Sequence, residues 1–293
     1  MTPPIFDDES GPRDSSRIDR PYWLATAKLA RHVRVVHVSP GARTTRRDMT
    51  ATEEPLQIRV CGNPFAVLMR TPGSDRELAA GFLLAERVVH EAGDVGTVAM
   101  DPEAQNTLDV TLGRRRAAEL PRLLEARRQV VGSSACGLCG RRTIESLRAE
   151  APNISAAWTI SPELMPRLPE RLRGSQQVFD ATGGLHAAGL FDRTGRLTAY
   201  AEDVGRHNAV DKVFGRMLLS GRLPLDHSIL FVSGRTSFEI VQKALLAGVP
   251  IVGSVSAPSS LAVELAEEVG ITLLGFVRGE AFNVYAHHWR LVD

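Results

Sequence analysis

At 293 residues and 31.9 kDa, the chain is long enough for one large or two modest domains. Hydrophobic residues make up 43% and charged residues 24%, which allows a packed core and excludes a disordered polyelectrolyte. The formal net charge of +1 supplies no global field to draw in nucleic acid or an anionic membrane.

Residues 1–20 are rich in Pro, Asp, Ser and Arg and lack the apolar segment of a secretory signal, and a disordered leader is placed at 1–30. The alternation in RHVRVVHV predicts a strand over 31–38, followed by a polar stretch. Two short strands over 55–60 and 65–70 flank Gly62-Asn63-Pro64, a hairpin signal. Cys61 at the first strand's end is expected to be a small buried hydrophobe. Ser74-Asp75-Arg76-Glu77 has the form of a capping box, opening a helix that runs to about residue 90. Strands over 95–100 and 107–112 and a basic helix over 114–128 complete a small α+β N-terminal domain, placed at 31–131.

Residues 132–142 are expected to be a loop around Cys136-Gly137-Leu138-Cys139, with Arg141 and Arg142 close behind. A short helix near 143–149 and another opened by Ser161-Pro162-Glu163 follow. Two strands flank the turn Asp192-Arg193-Thr194-Gly195, and a helix is expected over 208–219. Beyond it the order strand 228–232, helix to 247 behind a Thr236-Ser237-Phe238-Glu239 capping box, strand 250–255, helix 259–269, strand 271–276 implies right-handed crossovers and parallel pairing. Ligands bind such sheets at the carboxyl ends of the strands. The loops 233–237, 256–260 and 277–280 should therefore share one rim, offering hydroxyls, helix N-termini, Arg235 and Arg278 to a phosphate-bearing ligand. The most apolar run, 244–255, is broken by Gly248, Pro250 and Gly253 and is too short to span a bilayer.

Three cysteines make no disulfide framework, and the C-x-x-C spacing points to a reducing compartment, so a cytoplasmic location is expected. Glycines and nearby cations suit an exposed, reactive thiolate at Cys136 or Cys139. The spacing alone leaves three chemistries open: a sulfur relay, a dithiol redox pair, or half of a zinc site. No second C-x-x-C exists, and His186 and His207 lack zinc-ligand spacing. Two further stretches concentrate polar groups at turns, Thr182-Gly183-Gly184-Leu185-His186-Ala187 and Glu202-Asp203-Val204-Gly205-Arg206-His207-Asn208-Ala209-Val210-Asp211-Lys212.

Taken with Cys136-Gly137-Leu138-Cys139-Gly140 and residues 233–243, these stretches occur in an order that resembles the FdhD/NarQ family of formate dehydrogenase accessory sulfurtransferases. The resemblance covers about residues 53–291 and includes the closing Gly275-Phe276-Val277-Arg278-Gly279-Glu280-Ala281-Phe282. It implies an α/β (α+β overall) chain with a cytidine-deaminase-like domain at 143–293, a mixed, partly parallel sheet flanked by helices. Deamination is not implied, because His186-Ala187-Ala188 lacks the glutamate of the zinc deaminases and the cysteines precede the histidine.

The implied activity is persulfide transfer. A cysteine desulfurase would load Cys136, with Cys139 assisting, and the sulfur would pass to a molybdenum bis(molybdopterin guanine dinucleotide) cofactor destined for the catalytic subunit of formate dehydrogenase. The resemblance maps cofactor binding onto Phe276, Val277, Arg278, Gly279, Glu280 and Ala281. Glu280 and Ala281 depart from the family's glycine and basic residue, which leaves Arg278 as the expected anion partner. His186, Arg206, His207 and Arg235 are added as candidates because the motifs place them at turns. No resident metal, nucleic acid or membrane is implied; a homodimer is compatible, and a guanine nucleotide should stand in for the cofactor. The competing reading is a cofactor-binding chaperone without sulfur transfer.

Overall fold

The structure is a computed structural model, and it describes residues 29–128 and 152–292. The leader over 1–28, the cysteine loop with Cys136 and Cys139, and the helix expected near 143–149 lie outside the described residues.

Strands β1 (Ala30–Ser39) and β2 (Ala42–Ala51) form a two-stranded antiparallel hairpin paired over its full length. The second of these was expected as a polar, non-strand stretch. ARTTRRDMTA has no apolar alternation because almost every residue is exposed, and its pairing to β1 alone makes it a strand.

Strands β3 (Glu54–Val60), β4 (Asn63–Arg70), β5 (Val95–Met100) and β6 (Thr107–Leu112) form a four-stranded sheet in the order β4-β3-β6-β5, with β3 and β6 parallel. Cys61 is exposed rather than buried. Cys61 and Gly62 both take positive φ, 49° and 79°, the two-residue turn whose twist matches a hairpin, and this puts the cysteine at the tip. Helix α1 (Asp75–Ala85) covers the inner face, and Leu78, Leu83, Leu56, Ile58 and Leu108 are fully buried there. Ser74 makes no side-chain cap, because it sits in the left-handed region at φ 53°, and the helix ends at Ala85, short of residue 90. Helix α2 (Arg114–Arg128) follows β6 as expected.

Short helices α3 (Leu168–Arg173) and α4 (Gln177–Thr182) precede β7 (His186–Phe191) and β8 (Leu197–Asp203). Then come α5 (Arg206–Leu219), β9 (Ile229–Val232), α6 (Phe238–Ala247), β10 (Ile251–Ser254), α7 (Ser260–Val269), β11 (Thr272–Arg278) and β12 (Ala281–Ala286). The six-stranded sheet runs β12-β11-β10-β9-β7-β8. Its centre, β9-β10-β11, is parallel, and β7, β8 and β12 are antiparallel to their neighbours. The expected mixed, partly parallel sheet flanked by helices is present.

Alternation along the strands divides the apolar side chains between two faces. Ala188, Leu230, Val232 and Val252 join α5, α6, α7 and α1 in one cluster that also takes in the four-stranded sheet. Phe191, Ile229, Phe231 and Leu274 pack with Met165, Leu168 and Leu172 on the other. The two halves meet where α1 crosses α5. A Cβ on Gly81 would collide with the Asp211 carbonyl, and one on Gly215 with the Glu77 carbonyl, so only glycine lets these helices touch backbone to backbone. That contact fixes α5, whose first turn lies on the sheet's carboxyl rim.

No helix among the described residues is long and apolar enough to cross a membrane.

Candidate functional site

The parallel strands β9, β10 and β11 end on the same edge, so the loops after them meet as expected. Thr236 donates its N–H to Ala257 O at 3.2 Å and accepts from Ser259 N at 3.0 Å, tying the first loop to the second. Phe276 N donates to Ser256 O at 3.1 Å and Arg278 Nε to Val255 O at 2.7 Å, tying the third to the second. Because β7 is antiparallel to β9, its first residue, His186, arrives at this edge too. The Ala187 N–H donates to Ser233 Oγ at 2.8 Å.

The start of α5 is held by Asp203, which is fully buried. Its carboxylate accepts from Gly205 N (2.8 Å), Asn208 Nδ2 (2.9 Å) and Thr71 N (3.1 Å), and stands 2.7 Å from Lys212 Nζ. Lys212 also donates to Thr71 O at 2.8 Å, and Asn208 to Met69 O at 2.8 Å, so the end of β4 is bonded into the same knot. This placement sets Arg206 and His207 on the rim.

Behind them runs a chain of buried charge. Lys243 Nζ lies 2.6 Å from both oxygens of Asp211 and 3.2 Å from Glu239 Oε1. Glu239 Oε2 is 3.2 Å from His207 Nδ1, out of line for a hydrogen bond. Burial opposes charge on Lys243, but the Asp211 and Glu239 carboxylates outweigh it and leave its pKa raised. Burial pushes the Asp211 carboxyl up to about 7 against the pull of Lys243. The two-oxygen contact at 2.6 Å nevertheless keeps the pair charged at neutral pH. Burial lowers His207 to about 4, with Lys243 and Arg206 adding to the effect and Glu239 opposing it. His186 is lowered by burial and then by Arg206 and Arg235. Both imidazoles are therefore neutral at pH 7, and the rim's positive charge is carried by arginine.

Six buried side-chain polar atoms lack a hydrogen-bond partner among the described residues. Four of them are here: Arg206 Nε, His207 Nδ1, Thr236 Oγ1 and Ser237 Oγ. The capping box expected at Thr236 does not form. Ser237 occupies the cap position of α6, and its side chain makes no cap bond. A buried polar atom without a partner costs about 1–3 kcal/mol, so four on one edge make it the candidate site for a polar ligand. Arg235, exposed on the same loop, makes no ion pair among the described residues.

Beside the rim, on the face covered by α3 and α4, lies a cavity of about 700 Å³. Gly183, Gly184, His186, Ser233 and Val255 border it on the rim side, and Arg173 stacked over Phe179 at 4.6 Å on the helix side. It is mostly apolar with a few polar groups at its edge, as small-molecule sites are.

Of the remaining candidates, Phe276 is exposed at φ 52° with the Arg278 guanidinium 5.8 Å above its ring. Gly279, Glu280 and Ala281 are exposed in the turn into β12, while the Val277 side chain is fully buried in the second apolar cluster and offers only backbone. His186, Arg206, His207, Arg235 and the 276–281 turn thus lie along one edge. Sequence reasoning assigned no role to Asp203, Asn208, Lys212 or Lys243, and it offered Thr236, Ser237 and Glu239 only as rim hydroxyls and a capping box. The crowding of ionisable residues over 202–212 was the signal for the first three, and nothing local announced the pairing of Glu239 with His207 or of Lys243 with Asp211. No group of three or more His, Cys, Asp or Glu that could hold a metal occurs among the described residues.

The model of the FdhD/NarQ family matches residues 51–292. A protein of Streptomyces avermitilis named sulfur carrier protein FdhD is 47% identical, over 88% of this chain and 94% of that one. One of the same name from Nocardia farcinica is 49% identical over 89% and 95%. The crystal structure of a putative formate dehydrogenase accessory protein from Desulfotalea psychrophila is similar at a TM-score of 0.72 and 26% identity, covering 90% of this chain and 100% of that one. With a family match over most of its length and relatives this close, the chain belongs to the FdhD/NarQ family.

Proposed function

We propose that this chain is a sulfurtransferase that carries sulfur as a persulfide on Cys136 and delivers it to a molybdenum bis(molybdopterin guanine dinucleotide) cofactor held on the rim. Family membership and the relatives' names support a sulfur carrier. The observation that carries the docking half of the reading is the four orphaned buried polar atoms on one edge.

The residues present fit such a cargo. Arg206, Arg235 and Arg278 supply cations for its diphosphates, and the unspent Thr236 and Ser237 hydroxyls stand at the mouth of α6, where the helix dipole favours anions. The adjoining 700 Å³ cavity has room for a purine, with apolar walls and the Phe179 ring for its faces. Neutral His186 and His207 offer hydrogen bonds without adding charge.

Loading is a displacement. The Cys136 thiolate attacks the outer sulfur of the persulfide on a cysteine desulfurase; a new S–S bond forms on Cys136, and the donor's cysteine leaves as thiolate. Arg141 and Arg142 lower the cost of the anions. In release, the Cys139 thiolate attacks the inner sulfur of the Cys136 persulfide: a Cys136–Cys139 S–S bond forms, the outer sulfur leaves as sulfide for the cofactor, and a dithiol reductant then restores both thiols. Formate dehydrogenase is the receiving enzyme.

Incubation with a cysteine desulfurase and cysteine should add the mass of one sulfur atom to the peptide holding Cys136. No adduct, or an adduct only at the exposed Cys61, would refute the proposal. The chaperone reading is separated by Cys136→Ala. Under the relay this variant still binds guanine nucleotide and cofactor but activates no formate dehydrogenase; under chaperoning by the thiols, cofactor binding itself is lost.

A further inference from the structure

Among the described residues, the β1–β2 hairpin stands apart from both larger sheets. It is paired over ten positions, and its strands span about 30 Å at 3.3 Å per residue. Thr52 N donates to Leu29 O at 2.8 Å across its base. A lone two-stranded ribbon is marginal in water, and this one is exposed along nearly its whole length.

Its charge is concentrated. Residues 30–51 hold five arginines against one aspartate, a net +4, so the rest of the chain sums to −3 against the total of +1. The register sorts the residues into two faces. One carries His32, Arg34, Val36 and Val38 opposite Met49, Arg47, Thr45 and Arg43. On this face Arg34 stands directly across from Arg47, a like-charge pair that destabilises the hairpin unless an anion lies over it. Val36 and Val38, each 62% exposed, lie beside the arginines.

The arm is rooted at the candidate site. Ala51 Cβ lies 3.4 Å from where a side chain on Gly184 would begin, and Gly184 borders the 700 Å³ cavity; Leu29 borders a second cavity of about 270 Å³ on the far side of Leu185. A protein gripping the arm is therefore held next to the rim.

We propose that the Arg34–Arg47 face of this hairpin docks an acidic, partly apolar surface of the protein that takes the cargo from the rim. The proposal rests on the delivery reading above, which makes that protein the catalytic subunit of formate dehydrogenase. Nucleic acid fits less well. A phosphate backbone would engage the arginines and leave Val36 and Val38 in water, whereas a protein surface with carboxylates around apolar groups engages both.

The test measures binding of the full-length protein to the apo catalytic subunit of its formate dehydrogenase at two salt concentrations. Arg34→Glu/Arg47→Glu should weaken binding about tenfold or more and reduce its salt dependence. Val36→Asn/Val38→Asn should weaken it at constant charge. In both variants sulfur loading at Cys136 and guanine nucleotide binding should stay within about twofold of the parent, since neither change touches the rim. Unchanged affinity in the charge-reversed variant overturns the proposal. So does an effect confined to loading by the desulfurase, to self-association, or to duplex DNA binding. Failure of the relay reading would look different: the parent protein would dock the subunit through the arm yet take up no sulfur.

Discussion

The two edges of the six-stranded sheet treat buried polar groups in opposite ways. At the amino ends of the parallel strands, Arg290 is 1% exposed and its Nε and Nη1 are bonded: it donates to Gly270 O at 2.8 Å, Thr272 Oγ1 at 3.0 Å and Ala156 O at 3.0 Å. At the carboxyl ends, Arg206, His207, Thr236 and Ser237 each keep a buried polar atom without a partner. The first edge closes its own polar groups, and the second leaves them open, as the proposed docking of a ligand requires. Substitutions on the first should therefore cost folding free energy and spare binding, and those on the second the reverse.

The contrast is sharpest at the charge chain just behind the rim. Lys243→Met leaves Asp211 buried without its cation, and should cost about 3–5 kcal/mol, read as a fall in the denaturant midpoint. Loss of activity with full stability would show that this pair belongs to the rim after all.

Acid should find His207 next. Its folded-state pKa, about 4, lies below the 6.5 of the unfolded side chain, so the unfolded chain takes the proton first. Its contribution is intact above pH 6.5 and is lost as the pH falls toward 4, by about 3 kcal/mol at the limit. His207→Gln should flatten that part of a stability profile between pH 7 and 4.5, and an unaltered profile would refute the burial argument.

Arg290→Met should cost about 2–3 kcal/mol, because three acceptors lose a charged donor, while guanine nucleotide affinity stays unchanged. Thr236→Val, the smallest change, removes a buried hydroxyl that bonds to nothing and should raise stability by about 1 kcal/mol. It should nonetheless weaken guanine nucleotide binding about tenfold, measured by calorimetry. A costly Thr236→Val with unaltered binding would erase the distinction between the edges.

How far the sequence carried these conclusions depended on range. The β9-to-β11 run was legible because apolar strands and amphipathic helices alternate there, and topology then put three loops on one rim. Strand β12 was not legible, since AFNVYA lies at the sheet's edge with mixed burial and no clean period. The S/T-x-x-E pattern misled at Ser74 and Thr236, because backbone conformation decides a cap and the motif does not encode it. Within the site, Arg206, His207, His186 and Arg278 could be read from turn motifs. The partners that govern them could not. Asp211 meets Lys243, and His207 meets Glu239, across 32 residues in each case, through the packing of α5 against α6. No local spacing announces such pairs.

The most direct test of the account follows labelled sulfur through one turnover. Protein loaded on Cys136 with labelled sulfane sulfur is mixed with the molybdenum cofactor and apo formate dehydrogenase, and the label is located by mass spectrometry. The account predicts that the label leaves Cys136 and appears in the cofactor of active enzyme. It also predicts that Arg206→Gln/Thr236→Val keeps the label on the cysteine. Active enzyme formed while the label stays on Cys136 of the unaltered protein would contradict it.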